Sequence, residues 1–216
     1  TTGALAALAG NKTVNSLAIL GGTSPWNMGA GNTLTLTSGQ LLSSVNLTLA
    51  QGAVTAGAGS DTDLDIVPTG NTLTMSANIT DNGSGKVKLV KSGGGTLTLS
   101  ATTDNTYSGG TVVNEGALGT SGTVADRRFF GTGPVKADNA VLSLTAVGST
   151  ANSTGDDYTA VNAAQINVAN LAYTGDDTFN IESGSVIAGA SSTLNSGLHS
   201  LSRGYNITLA DGAVIG

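Results

Sequence analysis

The chain has 216 residues, 32 of them glycine, with 39% hydrophobic, 4% aromatic and 10% charged residues and no cysteine. So few large rings fill a wide globular core poorly, and the lack of cysteine excludes disulfides and thiolate metal sites together. A formal net charge of −6 argues against nucleic acid as a partner, because the phosphate backbone repels such a chain.

The first nine residues, TTGALAALA, have neither an initiator methionine nor a charged start, so they do not read as an intact secretory signal; a processed or excerpted chain is expected. No stretch approaches the roughly 20 apolar residues that cross a bilayer, so no membrane-spanning segment is expected here. Outside residues 4–9 and 160–169 no window spaces its apolar residues at 3.6, and alternation with period two prevails, the mark of strands. Trp26, in Thr23-Ser24-Pro25-Trp26-Asn27-Met28, is a candidate contact residue, with packing of its own loop as the alternative.

A tripeptide of apolar, Thr or Ser, apolar then recurs along the chain. Its copies are Leu34-Thr35-Leu36, Leu47-Thr48-Leu49, Leu73-Thr74-Met75, Leu97-Thr98-Leu99, Leu142-Ser143-Leu144 and Ile207-Thr208-Leu209. From Leu47 the gaps are 26, 24, 45 and 65 residues, near multiples of about 23. NLTLAQGAV at 46–54 and NITLADGAV at 206–214 are near-copies about seven such periods apart. The expectation is an all-β fold, a right-handed parallel β-helix or β-solenoid, with about 23 residues per coil and roughly nine coils. Residues 1–216 form a single such segment, a rod on the order of 45 Å long at about 4.8 Å per coil.

Asp61, Asp63 and Asp65 alternate and so share one face of a strand. Lys86, Lys88 and Lys91 make a modest basic strip, read as solvated strand lysines that discourage unwanted pairing. In the stretch KVKLVKSGGGTLTLSATTDNTYSGGTVVNEGAL, residues 86–118, Val87, Leu89, Leu97 and Leu99 face one way and Lys86, Lys88, Thr96 and Thr98 the other. The run 93–95 and the pair 109–110, all glycine, turn the chain between strands.

Residues 89–118, carrying LVKSGGGTLTLS, then NTYSGG at 105–110, then TVVNEGAL at 111–118, resemble the autotransporter-associated β-strand repeat, also called the passenger-associated transport repeat, of bacterial surface proteins. The resemblance covers about a seventh of the chain, with looser texture of the same kind elsewhere, as in VNSLAILGG at 14–22. It implies a parallel β-helix on a large exported protein, frequently ending in an outer-membrane barrel. In such repeats a Gly-Ala-Leu-Gly-Thr stretch runs almost directly into Gly-Pro-Val. Here residues 121–132 intervene, so a loop insertion is expected there.

That stretch holds Arg127, Arg128, Phe129 and Phe130. One reading anchors the loop by a phenylalanine while the arginines stay wet; the other makes the four residues a contact patch. A polar stretch at 146–163 is expected to be irregular. The pairs Asp156-Asp157 and Asp176-Asp177 would approach one another if coils stack, offering oxygen ligands for calcium or a carboxylate pair for glycoside hydrolysis; acidic turn residues are the plain alternative. His199, the only histidine, has no adjacent carboxylate, and neither a His-Glu-x-x-His nor a Gly-x-Ser-x-Gly pattern occurs.

No catalytic residue and no cofactor is therefore expected, calcium being the one metal with candidates. The expectation is a non-enzymatic structural or adhesive segment of an exported cell-surface or extracellular protein, outer-membrane-anchored in a Gram-negative bacterium. Its partners would be further repeats of the same chain, other copies end to end, or a host, cell or polysaccharide surface. The alternatives are a polysaccharide-binding or polysaccharide-active β-helix and a calcium-stabilised module.

Overall fold

The computed structural model describes residues 6–121, 128–145, 157–169, 178–181, 186–189, 206–209 and 214–215. All regular structure among them is β. One parallel sheet has nine strands, stacked in chain order: β2 (Trp26–Asn27), β4 (Leu47–Ala50), β7 (Thr72–Met75), β10 (Thr96–Leu99), β12 (Ala117–Thr120), β14 (Val141–Thr145), β16 (Gln165–Ala169), β18 (Val186–Gly189) and β20 (Val214–Ile215). The other has eleven. It contains β1 (Lys12–Ile19), β3 (Thr33–Ser43), β5 (Ala53–Ala56), β6 (Thr62–Pro68), β8 (Asn78–Ile79), β9 (Val87–Lys91), β11 (Thr111–Val113), β13 (Val135–Asp138), β15 (Asp157–Val161), β17 (Thr178–Ile181) and β19 (Asn206–Leu209). The chain passes back and forth between the sheets, and its strands pair in parallel with the coil before and after, so the chain is a β-solenoid.

The period-two pattern is what closes the solenoid. Leu47, Leu73, Leu97, Leu118, Leu142 and Ile166 are register partners from coil to coil, each 0–2% exposed, and the threonines between them point out. Each such side chain withdrawn from water stabilises the rod by about 2 kcal/mol. The steps along this column are 26, 24, 21, 24 and 24 residues. Over the six coils of this column the spacing is thus about 24 residues, against the expected 23.

Two of the recurring tripeptides do not stand where their spacing suggests. Leu34-Thr35-Leu36 lies in β3 and Ile207-Thr208-Leu209 in β19, both in the eleven-stranded sheet, whereas the other four stack in the nine-stranded one. The near-copies at 46–54 and 206–214 consequently occupy different sides of the solenoid. The same alternating strand serves either sheet, because both ask for the same alternation.

β3 is long because it runs along two sides. Residues 33–36 pair with β5, and residues 40–43 with β6. Gly39 makes the bend between them at φ +75°, where a Cβ would come within 1.8 Å of the Asp63 carbonyl oxygen. The shorter arm ends at β8, and beyond it this third side continues without strand pairing: Thr106 N donates to Ile79 O at 2.9 Å, Asn105 N to Arg128 O at 2.9 Å, and Thr132 N to Tyr107 O at 3.1 Å.

This geometry corrects the expected insertion. Ala117 pairs with Val141 across 24 residues, the same step as Thr72 to Thr96, so residues 128–132 are the third side of a coil of ordinary length. In the polar stretch 146–163, residues 157–161 form β15 and pair with both β13 and β17; residues 146–156 lie outside the described ones.

Candidate functional site

The segment 89–119 runs through one complete lap and into the next, and almost every distinctive residue in it is committed to stacking. Val87 and Leu89 on β9 and Leu97 and Leu99 on β10 are fully buried. The side from 100 to 110 has too little regular alternation to pair as a strand, and side chains stand in for the missing ladder. Asn105, 1% exposed, accepts the Ile79 amide proton on Oδ1 at 2.8 Å and donates through Nδ2 to Phe129 O at 2.6 Å, tying three successive coils with one amide group. Tyr107 fills the space beside it, its hydroxyl 2.6 Å from Thr111 Oγ1.

Asp81 holds the next corner. Its carboxylate accepts from the amides of Val87 and Ser108 and, at 2.6 Å, from Ser108 Oγ. Burial pushes this carboxyl up, but the bonds from Ser108 and Val87, with Lys86 nearby, outweigh burial and hold it below the ordinary carboxylate value. The turn after β11 needs Gly116, at φ +66°, whose Cβ would lie 2.4 Å from Gly95 O and 2.7 Å from Gly93 O of the previous coil.

The expected strip of solvated lysines is corrected at one position. Lys88 is outside, paired with Asp63 at 2.9 Å, but Lys91 is fully buried. It shares the parity of Val87 and Leu89 and so points into the core, where its ammonium donates to the carbonyls of Ser92, Gly93 and Glu115. The three alternating aspartates on the outside are engaged one by one: Asp61 accepts the Lys86 amide proton, Asp63 pairs with Lys88, and Asp65 accepts from Ser92 Oγ. Further along, hydrogen bonds from Asn162 and Lys136 hold the Asp138 carboxyl below its ordinary value.

Of the candidate contact residues, Trp26 is 8% exposed in β2 and its indole N–H donates to Ala6 O at 2.8 Å. Phe129 and Phe130, 3% and 2% exposed, both join the core. The Arg128 amide donates to Asp104 Oδ1 at 3.1 Å. Arg127 lies outside the described residues, as do Asp156, Asp176, Asp177 and His199; Asp157 opens β15. Among the described residues no group of three or more His, Cys, Asp or Glu side chains is placed to hold a metal ion.

The residues missed by inspection of the sequence are Asn105, Asp81 and the inward Lys91. Parity alone marks Lys91, and the Asn-Thr-Tyr-Ser-Gly-Gly run marks Asn105.

No curated protein and no solved structure gives a significant match to the chain. Residues 89–119 match the family model described as passenger-associated-transport-repeat. The lap built on Asn105, Tyr107 and Gly116 is therefore a passenger-associated transport repeat, set within a β-solenoid.

Proposed function

We propose that this chain is a non-enzymatic segment of an autotransporter passenger, lying outside the cell or on its surface and anchored at the outer membrane, with a mechanical role: to space and present contacts. The observation that carries the reading is the matched repeat at 89–119, whose coil is in register with its neighbours in both sheets. Further support comes from how the polar groups are used. Asn105, Asp81 and Lys91, the buried or part-buried groups that chemistry would draw on, are consumed by bonds between coils or within corners. Contacts with a host, cell or polysaccharide surface would then be made by the outward rows and turns, and further repeats or other copies would continue the rod end to end.

Antibodies raised against the chain provide the test. On this reading they decorate intact cells of the producing bacterium, or material shed from them, and protease added outside removes the label. Label seen only after both membranes are opened would overturn it.

A further inference from the structure

One column of the eleven-stranded sheet runs Leu41, Ile66, Lys91, Val113, Ala137, Ala160. A cation thus sits where every neighbour is aliphatic. The lysine side chain folds toward the corner that follows its own strand, and its three N–H bonds meet three carbonyls: Ser92 O at 2.8 Å, Gly93 O at 2.6 Å and Glu115 O at 2.9 Å. The first two belong to its own corner and the third to the coil that follows. The donors of an ammonium are thereby matched one for one, with no carboxylate in contact.

We propose that Lys91 makes the matched repeat a pH-responsive joint of the rod, a coil that carries a buried charge in neutral medium and tightens when that charge is discharged. Two groups act on the ammonium from other elements, Glu115 in the turn after β11 and Asp65 on β6, the latter already accepting from Ser92 Oγ. Both favour the charged form. Burial outweighs them and brings the lysine down from 10.5 to about 8. The sign follows from proton counting. Below pH 8 folded and unfolded chains are both protonated, and the cost of the buried charge is constant. Between about 8 and 10.5 the unfolded chain holds more protons, so stability rises with pH; above that window both are neutral. A neutral amine still offers two donors to the corner, so the coil survives the loss of the proton.

The proposal goes beyond the passenger reading and does not depend on it. Its test is a titration of the full chain carrying lysine labelled with ¹³C at Cε, the Lys91 signal being the one missing from Lys91→Met. That signal titrates near pH 8, well below the 10.5 of an ordinary lysine. Alongside it, the urea unfolding constant of the wild type falls on the order of 100-fold from pH 7.5 to 10.5 relative to Lys91→Met at the same pH. A Lys91 signal moving together with the surface lysines, or parallel stability profiles for the two proteins, overturns the proposal. If Lys91→Met does not fold, Lys91→Arg supplies the assignment and the wild-type titration alone decides.

Discussion

Asn105 is the most exacting test of how the repeat is held together, because one side chain replaces a stretch of ladder. Asn105→Ala leaves the Ile79 amide and the Phe129 carbonyl unpaired at a site where Asn105 is 1% exposed. Each buried polar group left unsatisfied costs about 1–3 kcal/mol, so the two together should lower stability by about 3–4 kcal/mol. Urea unfolding at neutral pH measures the loss, and hydrogen exchange at Ile79 localises it, since that amide should lose its protection before those of β10. Asn105→Asp adds an internal control. Its carboxylate still accepts from Ile79 but cannot donate to Phe129 O, and it buries a charge, so the defect is at least as large at pH 7. The protonated acid regains a donor, so the same variant should recover part of the loss in acid. A cost under about 1 kcal/mol for Asn105→Ala, with Ile79 still protected, would mean that water replaces the amide and that this side chain is not what ties the coils.

Other perturbations test other links. Gly116→Ala forces a Cβ against the Gly95 and Gly93 carbonyls at positive φ, and should cost at least about 2–3 kcal/mol; a melting temperature within a couple of degrees of wild type would refute the close approach. Leu97→Ala, in the middle of the fully buried column, should cost about 2–5 kcal/mol in urea, whereas Leu20→Ser, 70% exposed, should change stability by no more than about 0.5 kcal/mol. Asp81, held below the ordinary carboxylate value of 3.8, contributes stability that is present above that pH and is lost as pH falls below it. Asp81→Asn should therefore be less stable than wild type at pH 7 and should show a shallower decline in acid. Equal acid slopes for the two proteins would count against the carboxylate's role.

How much of this was legible in the sequence depends on whether a residue speaks through parity or through its partners. The alternation in Leu97-Thr98-Leu99 and its relatives predicts stacked strands with an aliphatic interior, and that is the fold found. Lys91 obeys the same parity, yet residue type argues for water; only the three carbonyls that meet its ammonium explain why it stays inside. Phe129 and Phe130 defeat parity in the other direction. Neighbours on a strand face opposite ways, but on the unpaired third side a turn lets both rings enter the core, so the loop-like composition conceals a structural side. The insertion expected at 121–132 came from the resemblance, in which the two flanking stretches nearly adjoin, whereas the pairing of Ala117 with Val141 gives this coil an ordinary step of 24 residues. Asn105 opens a recognisable motif, but its task depends on Ile79 and Phe129, some two dozen residues away on either side.

Because every coil is bonded only to the laps beside it, a pull on the two ends meets the hydrogen-bonded rows one after another rather than all together. Each lap that peels away surrenders about 24 residues, which extend to about 80 Å of free chain where about 5 Å of rod had been. A load carried through such a solenoid would be let out by stages, each tear paying out slack and sparing the next lap, and slackening would let the detached turns wind back onto the template left standing.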